Sequence, residues 1–300
     1  MKVCRIVLVF VLVALLSPVL TAGGSGYFQQ GKVLESLVFE SKILDWDVKY
    51  SIYLPADYDI STRRYPVVYL LHGATDDETS WVQFGEVNAT ADRAIAVREI
   101  PPMIIVMPDA KMTRYINDYE GKDRYEDMLI TEFIPYIDKT YRTRTKKEYR
   151  GISGLSMGGY GALIMAMRHP EMFTACAAYS SGTRTDEEVL NMSKERYERS
   201  FSKMYGPTAS GEPGLTEHYK KYSPLHQVRT LPEETLKSVR WYLDCGDDDF
   251  LYRGNSALHV EFSNRKIPHE YRVRDGGHSW IYWRTGIKDG LKFIGQDFNR

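Results

Sequence analysis

The sequence predicts an α/β fold in which a mostly parallel central sheet carries helices on both faces. Short apolar segments recur along the chain and each ends in a turn signal, as over residues 66–71 and 103–107. Strands that are apolar at every position suit a sheet that is covered on both faces. Helical patterns separate these segments, and such alternation favours parallel strands joined by crossover helices.

The other elements follow in chain order. Two extended, β-rich runs, 34–44 and 46–54, are predicted to form an antiparallel opening pair. Further strands are predicted over residues 149–153, 173–179, 239–243 and 270–273. Helices are predicted over residues 125–141, 160–167, 256–262 and 280–293. The assignment over residues 125–141 rests on apolar residues that recur with the period of a helix.

One stretch, residues 183–234, interrupts this alternation. It is charged and rich in tyrosine, and it contains Gly-Pro and Glu-Pro-Gly turns. We expect an insertion, or cap, over the carboxyl end of the sheet, where such folds bind ligands. No repeat, low-complexity tract or long linker divides the remainder, so residues 25–300 are predicted to form a single domain.

The first 24 residues are predicted to be a signal peptide. Lys2 and Arg5 precede an unbroken apolar run over residues 6–16, and small residues follow from Ala22. This order is typical of secretory signals, and the apolar run is too short to span a bilayer. An uncleaved anchor is the alternative. We therefore expect a secreted or periplasmic protein that is not inserted in a membrane after cleavage.

Net charge and cysteine content argue against several kinds of ligand and site. The formal net charge is −1, so nothing indicates electrostatic binding to nucleic acid or to an anionic membrane. Cys176 and Cys245 lie in apolar, strand-like segments, which favours buried free thiols over the alternative of a disulfide. No His and Cys spacing resembles a metal site, and neither a metal nor another cofactor is predicted.

The segment Gly154-Leu155-Ser156-Met157-Gly158 matches the G-x-S-x-G nucleophile elbow, between a predicted strand and a predicted helix. In this motif the serine occupies a strained turn, and side chains two residues before or after it would collide with neighbouring segments. The N–H groups at the start of the following helix can stabilise an oxyanion. Ser156 is therefore the predicted nucleophile, and an ordinary glycine-rich turn is the alternative.

The general base is predicted to be His278, in the loop after the last strand, because the base comes last in the chain order of this motif. The acid should follow the strand over 239–243, where the loop offers Asp244, Asp247, Asp248 and Asp249. Spacing alone does not choose among these four. The second oxyanion donor should come from the His72-Gly73 turn just past the strand over residues 66–71, so backbone N–H groups of Ala74 and Met157 are the predicted pair.

Together these segments resemble the esterase D-like branch of α/β hydrolases, over about residues 38–293. The branch includes feruloyl and acetylxylan esterases of carbohydrate esterase family 1, S-formylglutathione hydrolases and antigen 85 mycolyltransferases. The matching motifs are Tyr69-Leu70-Leu71-His72-Gly73, Gly154-Leu155-Ser156-Met157-Gly158-Gly159, Cys245-Gly246 with Asp249-Phe250-Leu251, and Gly277-His278-Ser279-Trp280.

The resemblance implies an α/β-hydrolase fold, a serine esterase mechanism and Asp249 as the acid, with Asp247 and Asp248 as loop residues. It also implies that Trp280 and the insertion help to shape the acyl or sugar subsite. His72, which flanks the nucleophile on its other side, is a second candidate for substrate contact.

The predicted signal peptide argues against the cytosolic S-formylglutathione hydrolases, and no long apolar groove indicates mycolyl transfer. We expect a secreted esterase that forms an acyl-enzyme and acts on feruloyl or acetyl esters of plant cell-wall polysaccharide. An S-formylglutathione hydrolase-like enzyme, a general short-chain carboxylesterase and a peptidase are alternatives. A catalytically inactive secreted binding module is another, although the presence of all three triad residue types in order argues against it.

Overall fold

The computed structural model describes residues 29–207 and 214–298. The predicted signal peptide, with Cys4, lies outside the described residues. Among the helices that are described, none combines the length and the apolar character needed to cross a bilayer. Cys176 and Cys245 are both buried and free, as predicted.

Within the described residues, eight strands form one sheet. The strands are β1 Lys32–Phe39, β2 Val48–Leu54, β3 Val67–Leu71, β4 Ile104–Pro108, β5 Arg150–Leu155, β6 Ala175–Tyr179, β7 Arg240–Asp244 and β8 His269–Arg272. Their order across the sheet is β1-β2-β4-β3-β5-β6-β7-β8. β2 pairs antiparallel with β1 and with β4, whereas every other neighbouring pair is parallel. The predicted opening pair and the mostly parallel sheet are confirmed.

The helices that connect these strands lie on both faces of the sheet. Their bounds are α1 Ser80–Gln83, α2 Val87–Ala96, α3 Tyr125–Met128, α4 Ile134–Thr140, α5 Met157–Arg168, α6 Asp186–Leu190, α7 Lys194–Ser200, α8 Ser202–Tyr205, α9 Glu217–Tyr222, α10 Pro224–Thr230, α11 Glu233–Lys237, α12 Tyr252–Asn264 and α13 Trp280–Gly295. A π-helical turn, Leu129–Phe133, joins α3 to α4, so the predicted helix over residues 125–141 is one continuous helical segment. The sequence analysis did not predict α2.

Two hydrophobic cores, one on each face, hold the sheet between the helices. Along β3, Val67, Tyr69 and Leu71 face a core covered by the segment α3–α4 and by α5 and α12. Val68 and Leu70 face the opposite core, which α2 and α13 cover. Every residue of β3 is therefore buried, which is why this strand is apolar at each position.

The first strand ends earlier than predicted, at Phe39 instead of at residue 44. The chain turns after it because the Ser41 hydroxyl accepts the backbone N–H groups of Ile43 and Leu44. Ser41 in turn donates to a carboxylate oxygen of Glu132, at 2.7 Å. A side chain that binds its own neighbouring backbone competes with the sheet in this way.

The insertion between β6 and β7 is helical and packs against α5. Tyr160 and Ile164 of α5 share a hydrophobic cluster with aromatic residues of the insertion, among them Tyr197, Tyr205 and Tyr222. The Tyr160 hydroxyl donates to the Tyr222 carbonyl oxygen at 2.6 Å and accepts from the Tyr205 hydroxyl at 2.9 Å. The insertion therefore rests on the helix that begins directly after Ser156.

A buried carboxylate, Glu126, ties the insertion to the segment α3–α4 and to α5. It is 1% exposed, and it accepts hydrogen bonds from Arg168, His169 and Tyr222. Burial alone raises the pKa of Glu126, but the hydrogen bonds of His169 and Tyr222 and the charge of Arg168 outweigh burial. The pKa therefore falls from 4.5 to about 2.

We expect Glu126→Gln to lower the free energy of unfolding by about 3 kcal/mol at neutral pH, because the buried partners lose their counter-charge. The pKa is lower in the folded than in the unfolded chain, so this stabilisation is complete above pH 4.5 and is lost as the pH falls toward about 2. Urea denaturation of the native protein and of Glu126→Gln across this pH range measures the difference in their free energies of unfolding. This difference should shrink as the pH falls, and a difference that does not change with pH would contradict a lowered pKa of Glu126. Glu148→Gln, at an exposed position, is the control.

Candidate active site

Ser156 lies on a sharp turn between β5 and α5. Its φ of 52° and ψ of −114° fall outside the regions that residues with a side chain usually adopt. The backbone is held there from both sides, because Ser156 N–H donates to Tyr179 O and Gly182 N–H donates to Ser156 O, both at 2.8 Å. The last residue of β6 and the loop after it thus hold the backbone of Ser156.

The glycines of the motif are required by close packing of backbone on backbone. A Cβ atom on Gly154 would lie 2.5 Å from the carbonyl group of Gly158. One on Gly158 would lie 2.5 Å from the His72 carbonyl oxygen and the Leu71 carbonyl carbon. Real Cβ atoms do not approach backbone so closely, so side chains at these two positions would force the turn apart.

His278 bridges Ser156 and Asp249. Its Nε2 lies 2.9 Å from Ser156 Oγ, and its Nδ1 lies 2.9 Å from Asp249 Oδ2. Because the carboxylate accepts a hydrogen bond, we assign the ring proton to Nδ1, which leaves Nε2 able to accept from the Ser156 hydroxyl. The structure brings together the three residues that the sequence analysis named as nucleophile, base and acid.

Asp249 is held as a buried anion. Its side chain is 0% exposed, and Oδ1 accepts the Leu251 N–H at 2.8 Å. Burial acts to raise the pKa of Asp249, but hydrogen bonds from His278, from the Ser180 hydroxyl and from Leu251 outweigh it, so the pKa lies below its ordinary value. The carboxylate therefore stays charged beside the imidazole.

Two further residues position this carboxylate, and the sequence analysis missed both. The Trp283 indole N–H donates to Ser180 Oγ at 3.0 Å, and Ser180 in turn hydrogen-bonds Asp249. Trp283 also packs edge-on against His278, with ring centroids 4.8 Å apart. No motif marks Ser180; its place directly after β6, at the carboxyl end of the sheet, was the available signal.

The other acids of this loop have different roles. Asp244 is buried and paired with Arg274, whose Nε lies 3.1 Å from Oδ2. Asp247 and Asp248 are exposed, and Asp247 accepts the Gly276 N–H at 3.0 Å. Of the four acids that spacing left open, Asp249 is the one whose carboxylate is hydrogen-bonded to His278, and its role as the catalytic acid stays a prediction. One carboxylate oxygen from each of Asp247, Asp248 and Asp275 lies within 4.8 Å of the others, but exposed acids are often grouped without binding a metal.

The two loops predicted to form the oxyanion hole meet at Ser156. A Cβ atom on Gly73 would lie 3.6 Å from the Cβ of Ser156, so Ala74 follows directly on a residue that adjoins the nucleophile. Met157 is the first residue of α5, where backbone N–H groups lack helical partners. Donation by Ala74 and Met157 stays a prediction that this arrangement permits.

His72 has a structural environment, which corrects its candidacy for substrate contact. It is 1% exposed, Nδ1 lies 2.7 Å from Gly73 O, and Nε2 accepts the Ala110 N–H at 2.9 Å. Nε2 thus joins the loop after β3 to the loop after β4, whereas Nδ1 bonds within the loop after β3. The imidazole supports the turn at Gly73 and does not face a substrate.

Trp280 belongs to an aromatic wall next to the triad. Its ring centroid lies 5.2 Å from that of Trp81, 5.8 Å from that of Phe84 and 5.4 Å from that of Trp283. Phe84 is exposed, and Trp280 is half-buried. We refer to Trp81, Phe84 and Trp280 as the aromatic wall; Trp283 connects it to His278.

Comparison with known proteins places the chain in a family. Residues 41–294 match the family model named Esterase, which is most of the chain. The chain belongs to the Esterase family. The predicted α/β-hydrolase fold and the predicted enzyme class, a carboxylic ester hydrolase, are confirmed at the level of this family.

Three relatives show how the similarity is distributed. A solved ferulic acid esterase is 33% identical, with a TM-score of 0.77 over 90% of this chain and 99% of that one. An endo-1,4-beta-xylanase/feruloyl esterase of Xylanibacter ruminicola is 36% identical over 154 residues, which are 49% of this chain and 21% of that protein. An acetyl esterase of Caldicellulosiruptor saccharolyticus is 25% identical over 85% of this chain and 96% of its own length. The chain spans only about a fifth of the Xylanibacter protein and about half of two other curated esterases.

The acid can be tested by three matched substitutions. We expect Asp249→Asn to lower kcat for p-nitrophenyl acetate by about 10²- to 10⁴-fold, because the amide neither fixes the Nδ1–H tautomer nor stabilises the imidazolium. Asp247→Asn and Asp248→Asn should stay within about tenfold of the native rate, since exposed charges contribute little. A large loss in either of these two, with Asp249→Asn active, would refute the assignment.

Proposed function

We propose that this chain hydrolyses carboxylic esters through an acyl-enzyme on Ser156, and that its substrates are feruloyl or acetyl esters of plant cell-wall polysaccharide. The observation that carries the mechanism is the hydrogen-bonded series Ser156–His278–Asp249, with both heavy-atom distances at 2.9 Å. The substrate class is supported by the relatives, which are named feruloyl and acetyl esterases.

Acylation begins when Ser156 Oγ attacks the ester carbonyl carbon and His278 Nε2 takes the hydroxyl proton. The carbonyl electron pair moves to oxygen, and the N–H groups of Ala74 and Met157 stabilise the resulting oxyanion. As the intermediate collapses, the bond to the alcohol oxygen breaks. His278 Nε2 returns its proton to that oxygen, and the alcohol leaves.

Deacylation repeats the sequence with water as the nucleophile. His278 takes a proton from water, the hydroxide adds to the acyl carbon, and the acid is released as Ser156 Oγ is reprotonated. Asp249 stabilises the imidazolium in both halves of the reaction, and its lowered pKa keeps it ionised throughout. The geometry of a nucleophile already bonded to its base favours this function over that of an inactive binding module.

The aromatic wall favours an aryl acyl group. Phe84 leaves an exposed ring beside half-buried Trp280, and such a surface packs well against the flat ring of a feruloyl group. An acetyl group fills little of it. We further propose that residues 1–24 direct export, which would place the enzyme, a single domain over residues 25–300, outside the cytoplasm with cell-wall polysaccharide.

Replacement of the nucleophile tests the mechanism. We expect Ser156→Ala to lower kcat by about 10⁴-fold or more, since the oxyanion donors cannot replace a covalent nucleophile. A fluorophosphonate probe should label native protein at Ser156, as located by peptide mass spectrometry, and should not label the variant. Thermal unfolding of Ser156→Ala shows whether the variant is folded. Native-like turnover by a folded variant would exclude Ser156 as the nucleophile.

A substrate panel tests the acyl preference. We expect kcat/KM for methyl ferulate to exceed that for methyl acetate, and Trp280→Ala to reduce the ferulate value by about tenfold more than the acetate value. Acetylated xylan and p-nitrophenyl esters of increasing chain length complete the panel. An equal loss on both methyl esters would show that Trp280 does not contact the acyl ring. Hydrolysis of acetyl but not feruloyl esters would assign the enzyme to the acetyl class.

A further inference from the structure

An exposed aromatic ring, that of Phe250, lies against His278. The ring is 61% exposed, and its centroid is 4.6 Å from that of the imidazole, with 50° between the planes. Its neighbours in the chain, Asp249 and Leu251, are both buried. A single exposed apolar residue is ordinary on a protein surface, so the position beside His278 is what distinguishes Phe250.

The loop that carries Phe250 is held in place by its backbone. Asp249 N–H donates to Gly246 O at 3.2 Å, and Tyr252 N–H donates to Asp249 O at 2.9 Å. The Asp249 carboxylate accepts the Leu251 N–H as well. These bonds on both sides of residue 250 hold the backbone from which the exposed ring lies against His278.

The chemistry of the proposed reaction determines which part of the substrate this ring meets. His278 Nε2 must reach the oxygen of the leaving alcohol to return its proton, so the alcohol lies on the His278 side of the site. The carbonyl oxygen points the other way, toward Ala74 and Met157. In a polysaccharide ester the leaving alcohol is a sugar hydroxyl, and the sugar ring therefore lies close to His278.

The acyl group of the substrate contacts a different part of the site from the sugar. Trp81 and Phe84 of the aromatic wall follow β3, whereas Phe250 follows β7, and β3 and β7 lie on opposite sides of β5 in the sheet. Because β5 leads directly into Ser156, Phe84 and Phe250 follow strands on opposite sides of the nucleophile, whereas Trp280 follows β8, on the Phe250 side. An acyl group that packs on the exposed ring of Phe84 therefore leaves the sugar on the side of Phe250.

We propose that Phe250 is the platform on which the sugar ring of the leaving alcohol stacks, an inference that rests on the function proposed above. The apolar C–H face of a sugar packs against the face of an aromatic ring, and the outward face of Phe250 is open to it. Phe250 would thereby distinguish polysaccharide esters from simple alkyl esters with the same acyl group.

Two substrates with one acyl group isolate this effect: methyl ferulate and a feruloylated arabinoxylo-oligosaccharide. We expect Phe250→Ala to lower the ratio of kcat/KM, oligosaccharide over methyl ester, by about tenfold, mainly through KM for the oligosaccharide. Phe250→Trp should restore the ratio, because it restores an aromatic face. Val260→Ala, which truncates an exposed apolar residue of α12, should leave the ratio unchanged. Thermal unfolding verifies that each variant is folded.

The outcomes separate this inference from the proposed function. An unchanged ratio in Phe250→Ala overturns the platform, and so does an equal loss on both substrates, which would mean that the ring only supports His278. Native activity on methyl ferulate tests the function independently of any variant. If the native enzyme cleaves only acetyl esters, acetylated xylo-oligosaccharide and methyl acetate form the same pair. A native protein that cleaves no ester overturns both proposals.

Discussion

The strained backbone of Ser156 is the constraint on which the rest of the site depends. A residue with a side chain at this φ and ψ costs on the order of 1–3 kcal/mol, and the surrounding structure must supply that energy. Neighbouring segments stabilise it: Ser156 N–H donates to Tyr179 O, and Gly182 N–H donates to Ser156 O. Glycines also let α5 pack directly on β3. The strain aims the hydroxyl out of the sheet, where His278 can reach it.

Burial of the Asp249 carboxylate is the second requirement, and it shares a support with the first. An anion removed from water is tolerable only when its lone pairs are occupied, and His278, Ser180 and the Leu251 N–H occupy them. Ser180 directly follows β6, whose terminal residue Tyr179 holds the Ser156 backbone. The end of β6 therefore supports both the Ser156 backbone and the Asp249 carboxylate.

The sequence predicted what local chemistry determines and missed what long-range contacts determine. Ser156 and His278 could be predicted because the motif and the chain order allow few alternatives, whereas Asp249 required a family resemblance, since four acids occupy residues 244–249. The role of His72 depends on Ala110, on another loop, which no local pattern reveals. α2 was missed because its buried face consists mainly of small residues, such as Ala91 and Ala94, which give a weak helical signal.

The residues proposed for the chemistry and for the specificity differ in how they are held. Ser156, Asp249 and His278 are fixed by hydrogen bonds to one another and to the backbone. The rings of Phe84 and Phe250 lie on connecting segments and are exposed, so substitutions there disturb the core least. The insertion is connected to the site as well, because it rests on α5 through Tyr160, one helical turn after Ser156. Substitutions in the insertion that disturb this contact can therefore shift α5 and the turn that carries Ser156.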